Sequence, residues 1–309
     1  MSTPGDDSTP PADAAAETDR VPRSGNSFLG DFWVNFVRWN IKAVRNPFVL
    51  VVSLVQPIIF LVLFTQVFGQ VATGAVNQGA ANISYETYLV PAICMQVALA
   101  AATTSGVGLV NDIENGMFEK VLVSPMNRAA VFLGKTAAEL VRIGAQIAII
   151  IGLGTLLGAE VATGLTGAAG IVAVGILFSL WFTALSNALA VVTKDQESTI
   201  IGANLLQFPL LFVSTAFLPL SVLPEWIQVV ARFNPVTYGV DAARAIMLGR
   251  DVMTVIEVTD YGLDFGGLLG VGDLLNTVVP AVAILLALGT VFGGVAVYLL
   301  QRASSADVQ

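Results

Sequence analysis

Long apolar stretches alternate along this chain with short polar ones, and the apolar stretches are longer than the elements of a water-soluble core. A helix needs roughly 20 mainly apolar residues to cross the hydrocarbon layer of a bilayer. The pattern predicts six such spans, at 47–69, 87–110, 136–158, 167–193, 199–218 and 277–300. The first is the cleanest, with no charge from Phe48 to Phe68. The fourth and fifth are separated only by Lys194, Asp195, Gln196 and Glu197, which read as a tight turn at one surface. The expected fold is all-α and integral to the membrane.

Four segments follow from the same pattern. Residues 1–27 mix Pro, Ser, Thr, Gly and Asp with no apolar run, and read as a disordered acidic tail. With neither a basic start nor an apolar core, this tail is no secretory signal, so the first span is expected to be retained. Residues 28–46 form an amphipathic helix, 47–302 the six-span membrane domain, and 303–309 a short C-terminal tail.

In 28–45, Asp31, Asn35, Arg38, Lys42 and Arg45 recur at three- and four-residue steps on one side. Leu29, Phe32, Trp33, Phe36, Ile41 and Val44 fill much of the other. Such a helix lies in the headgroup plane, and Asn46-Pro47 breaks it before the first span. The plainer reading is an N-terminal helix packed on protein.

Composition supports a membrane protein. Apolar letters make up 55% and charged letters 12% of the 309 residues, against about a quarter charged in a soluble domain. There is no His, which removes the usual proton shuttle and the commonest metal ligand. Cys94 stands alone, so neither an intrachain disulfide nor a multi-thiolate site can form. A net charge of −8 argues against nucleic acid as a partner. Catalytic, cofactor-binding and metal-binding residues are all expected to be absent.

Lys and Arg set the orientation. Arg20, Arg23, Arg38, Lys42 and Arg45 precede the first span, and Lys120, Arg128 and Lys135 lie between the second and third. Lys194 follows the fourth and Arg302 the sixth, whereas the first-to-second connection has no basic residue. Both termini are therefore expected to be cytoplasmic. Arg232, Arg244 and Arg250 fall outside, where seven acidic residues between the fifth and sixth spans offset them. Asn82-Ile83-Ser84, a glycosylation sequon, also falls outside.

Two connecting segments carry more than hydrophobicity. Residues 111–128 hold Glu114, Gly116 and Glu119 and then a short apolar run that stops at Ser124-Pro125. Met117, Phe118, Val121, Leu122 and Val123 would stand on the water side, where apolar residues need a partner surface or the bilayer itself. Residues 217–244 read as two short helices: Pro224 suits a helix start, Asn234-Pro235 a cap followed by a second start, and Gly249 a stop. Too broken to span and too apolar for a free loop, this piece should sit half in the outer leaflet. Non-helical backbone at that depth must be covered by protein.

Other features carry no chemistry. Phe132-Leu133-Gly134-Lys135-Thr136 imitates the end of a phosphate-binding loop, but Ala129 occupies the position of its first glycine and a membrane helix begins there. Any ATP use must come from another subunit. Gly154/Gly158 and Gly289/Gly293 read as plain helix packing. Apart from Glu139 and Arg142, no ionisable residue lies deep in a span, which disfavours proton- or ion-coupled transport.

Six spans, the N-terminal helix, the ENGMFEKVLVSP loop and the LPEWIQVVARFNPVTYGVDAAR segment together resemble the permease subunits of type-2 ABC exporters. The nearest likeness is to their drug-resistance (daunorubicin-type) branch. It rests most on Glu114, Gly116, Glu119 and Pro125 in the first cytoplasmic loop, and on Pro224, Trp226, Asn234, Pro235, Tyr238 and Arg244 outside.

The resemblance implies a dimer with a second permease protomer, in the plasma membrane, carrying two cytoplasmic ATPase subunits that hold ATP and Mg. Glu114 to Arg128, with Phe118, Glu119, Leu122 and Pro125, would be the coupling helix that docks on the ATPase; Lys194, Asp195 and Glu197 would make a smaller contact. The outer helices would cap a pathway lined by the second and fifth spans, with Met95, Thr103, Asn204, Gln207 and Phe208 as pathway residues by position. Drug-like, lipid or glycan cargo suits a pathway without charges. An ATP-independent secondary carrier and a non-transporting scaffold are the alternative readings.

Overall fold

The computed structural model of the protein describes residues 27–45, 47–79, 83–116, 128–252 and 273–306. Every element there is helical. Helix α1 covers Phe28–Arg45, α2 Pro47–Gly79, α3 Tyr85–Glu114, α4 Arg128–Leu156 and α5 Gly164–Thr193. Then come α6 Gln196–Phe212, a short 3-10 turn at Leu220–Val222, α7 Glu225–Ala231, α8 Pro235–Leu248 and α9 Leu274–Ala306.

Helix α3 is the centre, packed against α2, α4, α5, α6 and α8. Nearly all its side chains from Tyr85 to Leu99 are buried. Lipid chains are as apolar as leucine, so close packing and interhelical hydrogen bonds, more than hydrophobicity, hold such helices together. Helix α3 meets the backbone of α5 closely at Gly106. A Cβ built there would lie 2.3 Å from Ser186 Oγ and 2.5 Å from the Ser186 carbonyl oxygen of α5. Trp181 and Phe292, with ring centroids 5.9 Å apart, join α5 to α9.

Among the described residues, five helices are long and apolar enough to cross a bilayer: α2, α3, α4, α5 and α9. The fifth predicted span, 199–218, is helical only as far as Phe212. Helix α6 stops at Phe212 after 17 residues, about 26 Å of rise, and residues 213–218 are bends. Its start is local, since Asp195 accepts from the Ser198 N–H at 2.7 Å, and Pro209 lies in its last turn.

Helix α1 divides its polar stripe between protein and exterior. The polar stripe does not all face water: Asp31 and Asn35 are buried, and α1 packs along α4. Gly134 permits this contact, since a Cβ there would lie 2.7 Å from the Phe32 carbonyl oxygen. The glycine of the apparent phosphate loop is therefore a helix-crossing residue in the first turns of α4. The apolar side, with Leu29 (72%), Trp33 (60%) and Val44 (79%), is exposed. Gly154 likewise packs on Val90 of α3, whereas Gly158 takes a positive φ of 104° at a turn.

Candidate functional site

At the Pro224 end of the bundle, the chain leaves α6 and runs through bends and the 3-10 turn before α7. Backbone carbonyls exposed this way need donors. Asn234 supplies two bonds, its Nδ2 donating to the Leu210 and Val213 carbonyls at 2.6 and 2.5 Å. Its Oδ1 meanwhile accepts from the Val236 N–H at 2.9 Å, capping α8. Pro235 is the first residue of α8, and Gly249 ends it with φ 67°. Pro224 precedes α7, which ends near Arg232; that carbonyl accepts from the Tyr238 hydroxyl at 2.6 Å. Trp226 stands exposed on α7.

Arg244 is the hub of this region. Its guanidinium donates to the carbonyls of Thr215 (3.1 Å), Ala216 (3.4 Å) and Tyr88 (3.3 Å), and lies 3.6 Å from the Tyr88 ring centre. Asp241, one turn back on α8, faces it at 3.5 Å and accepts from the Thr215 hydroxyl at 3.0 Å. The pair is 3% and 0% exposed. Arg244 and Asp241, which the sequence places among three basic and seven acidic residues between the fifth and sixth spans, are thus a buried ion pair. Tyr88 and Tyr85 donate to the Thr215 and Phe217 carbonyls, each at 3.2 Å. Sequence reasoning missed Tyr85, Tyr88, Thr215 and the role of Asp241. The available signal was Asp241 and Arg244 three residues apart in an otherwise apolar helix.

In the middle of the bundle, the Thr103 hydroxyl donates to Gln207 Oε1 at 3.3 Å, joining α3 to α6. Asn204 is half-buried and Phe208 exposed on the outer side of α6, whereas Met95 is fully buried against Gly175 and Gly239. Ser105 donates to Glu139 at 2.7 Å, and Arg142 to the Thr104 hydroxyl at 2.6 Å. The two intramembrane ionisable groups singled out from sequence therefore both bind α3.

At the opposite end, Glu114 is the last residue of α3, and its carboxylate accepts from Gln196 Nε2 at 2.6 Å. The two polar connections, 82 residues apart in sequence, meet through this bond. Gly116 follows with φ 63° and Arg128 opens α4; Phe118, Glu119, Leu122 and Pro125, like Asn82, lie outside the described residues. Lys194 ends α5 in the left-handed region (φ 51°), Asp195 caps α6, and Glu197 occupies its first turn. Lys135 pairs with Asp112 at 2.5 Å, and the Trp39 ring lies 5.2 Å from its ammonium.

The Ser198 hydroxyl and then its backbone N–H hold the Asp195 carboxyl below the usual carboxylate range. A lowered folded pKa contributes stability above the unfolded value of about 3.9 and loses it as pH falls through the folded pKa. Asp195→Ala should therefore melt below the native chain at neutral pH, and the gap should close in acid. Melting curves from pH about 3 to about 6 would show this; a pH-independent gap would contradict the cap.

A 29% identical relative, over 66% of this chain and 70% of its own length, is the daunorubicin resistance ABC transporter permease protein DrrB1 of Streptomyces coeruleorubidus. The probable doxorubicin resistance ABC transporter permease protein DrrC of Mycobacterium tuberculosis is 25% identical over 76% and 84%. A putative transport permease, ycf38 of Cyanophora paradoxa, is 30% identical over 70% and 74%. Residues 30–248, from α1 to the last residue of α8, match the ABC-2 type transporter domain. The all-helical bundle, its protein-covered break after α6 and this match across most of the chain lead to one conclusion: the protein is a transmembrane permease subunit and belongs to the ABC-2 type transporter family.

Proposed function

We propose that this chain forms, with a second permease protomer, the pathway of an ATP-driven exporter in the plasma membrane, while two separate cytoplasmic ATPase subunits bind ATP and Mg. Both termini are cytoplasmic in this reading, and six crossings are reached because α6 and the irregular segment 213–218 complete the fifth span together. The Arg244 hub supports that count, since it satisfies the carbonyls that would otherwise face lipid. The exposed apolar side of α1 supports its placement in the headgroup plane.

The observation that carries the ATPase assignment is the Glu114–Gln196 bond, which holds the two basic-flanked connections together as one docking face. Residues 114–128 supply the main coupling segment and 194–197 the smaller contact. Asn204 and Phe208, on the outer side of α6, face the pathway between protomers; Thr103 and Gln207 brace it from behind. An uncharged pathway suits amphipathic cargo of the drug, lipid or glycan kind, and the names of two relatives favour the first. ATP binding would draw the docking faces together and shift the dimer from inward to outward access.

Glu119→Lys and Leu122→Asp are expected to abolish co-purification of the ATPase in mild detergent while membrane insertion stays unchanged. The check is a pull-down of the tagged chain from its host, with mass spectrometry of the bound subunits. Undiminished ATPase recovery from both variants would overturn the coupling-segment assignment. Recovery of the native chain with no ATPase subunit would overturn the exporter reading itself.

A further inference from the structure

Two cavities flank α1. An open hollow of about 840 Å³ lies along the outer side of α1, and its lining, Trp33, Val34, Val37 and Ile41 with Arg38, Lys42 and Arg45, comes from this helix alone. A smaller pocket of about 230 Å³ lies between α1 and the end of α3, where Trp39 and Gly108 line it together with Asn111, Asp112 and Asn115. Arg38 and Lys42 line both.

Among the described residues neither cation has a carboxylate within ion-pair distance. Asp112, the acid in the pocket, is held by Lys135 at 2.5 Å. The aromatic face that would attract a quaternary ammonium is also taken: the ammoniums of Lys42 and Lys135 lie 4.5 and 5.2 Å from the Trp39 ring centre. The pocket thus offers two positive charges and amide groups, with nowhere to seat a positive headgroup.

We propose that this pair of cavities holds an anionic phospholipid, its phosphate between Arg38 and Lys42 and one acyl chain along Trp33, Val37 and Ile41. Charge complementarity selects the headgroup, because a net charge of −8 on the whole chain leaves this stripe as a local exception. The apolar hollow selects a lipid over a soluble anion, since a free phosphate would leave it empty. The bound lipid would pin α1 to the end of α3 that carries Glu114, next to the proposed docking face. This inference rests on the headgroup-plane placement of α1.

The full chain in detergent, titrated with phosphatidylglycerol or phosphatidylcholine and read by native mass spectrometry, tests it. The native chain should retain phosphatidylglycerol in preference, and Arg38→Gln/Lys42→Gln should reduce that preference by roughly thirtyfold. Arg232→Gln, an exposed cation at the other end, should leave it intact. Equal retention of both lipids by the native chain, or an equal loss in Arg232→Gln, overturns the site even if the double variant fails to fold. Thermal protection by inorganic phosphate as strong as by phosphatidylglycerol overturns the lipid. A spin label at Val44→Cys reports the depth of α1 separately: a label in water with lipid still retained removes the placement but not the binding.

Discussion

Arg244→Leu is expected to lose most of its folded permease, by about 3–5 kcal/mol, because it leaves a buried carboxylate without its partner. The substitution removes the cation facing Asp241 and, at once, donors to the carbonyls of Tyr88, Thr215 and Ala216. Inside a bilayer those carbonyls have no water to turn to. Arg244→Lys keeps the charge but lacks the planar fork that reaches several carbonyls together, so it should fall between leucine and native. The double variant Arg244→Leu/Asp241→Asn should recover part of the loss, because the carboxylate charge has gone too. Fluorescence-detected size-exclusion and melting of the purified chain give the order. A leucine variant that melts with the native chain would mean that the α6 break is held by something else.

Gly106→Ala should cost about 1–3 kcal/mol, although alanine ordinarily favours a helix over glycine. The new methyl would lie 2.5 Å from the Ser186 carbonyl oxygen, which is backbone and cannot rotate away. Helices α3 and α5 would have to separate, lengthening the bond from the Ser186 hydroxyl to the Thr103 carbonyl, now 3.1 Å. Gly152→Ala is the control, since a Cβ there meets nothing within 4 Å; it should be neutral or slightly stabilising. Opposite signs for the two alanines, measured by melting in the same detergent, are the expected result. Equal shifts would show that intrinsic helix preference, rather than the crossing, decides.

Much of the bundle could be read from sequence because its cues are local. A run such as Phe48 to Phe68 has one way to satisfy its backbone in lipid, the helix, wherever its neighbours lie. Asn234-Pro235 and Gly249 marked both ends of α8 for similar reasons: a cap, a fixed φ and a residue free to adopt φ 67° act within one turn. The end of α6 was less readable. Residues 213–218 are as apolar as the rest of the span, and only donors from distant α3 and α8 make a non-helical path affordable there.

The site shows the same division. Glu114, Asn234 and Arg244 stood out in the sequence as polar groups in apolar or loop surroundings, but their partners did not. Gln196 is 82 residues from Glu114, and Tyr88 is 156 residues from Arg244. Likewise the stripe of α1 was evident at helical spacing, while the side that turns inward was not. Packing on α4 at Gly134 placed Asp31 and Asn35 against protein.

What the sequence determined by itself is the solvent and the elements: a shortage of charge excludes a water-facing surface, and each long apolar run must close its own hydrogen bonds as a helix. The tertiary structure alone decided which helices touch, where a span could break, and which isolated charges are paired. Those outcomes depend on donors and small residues brought together from far along the chain, and no local spacing carries that information.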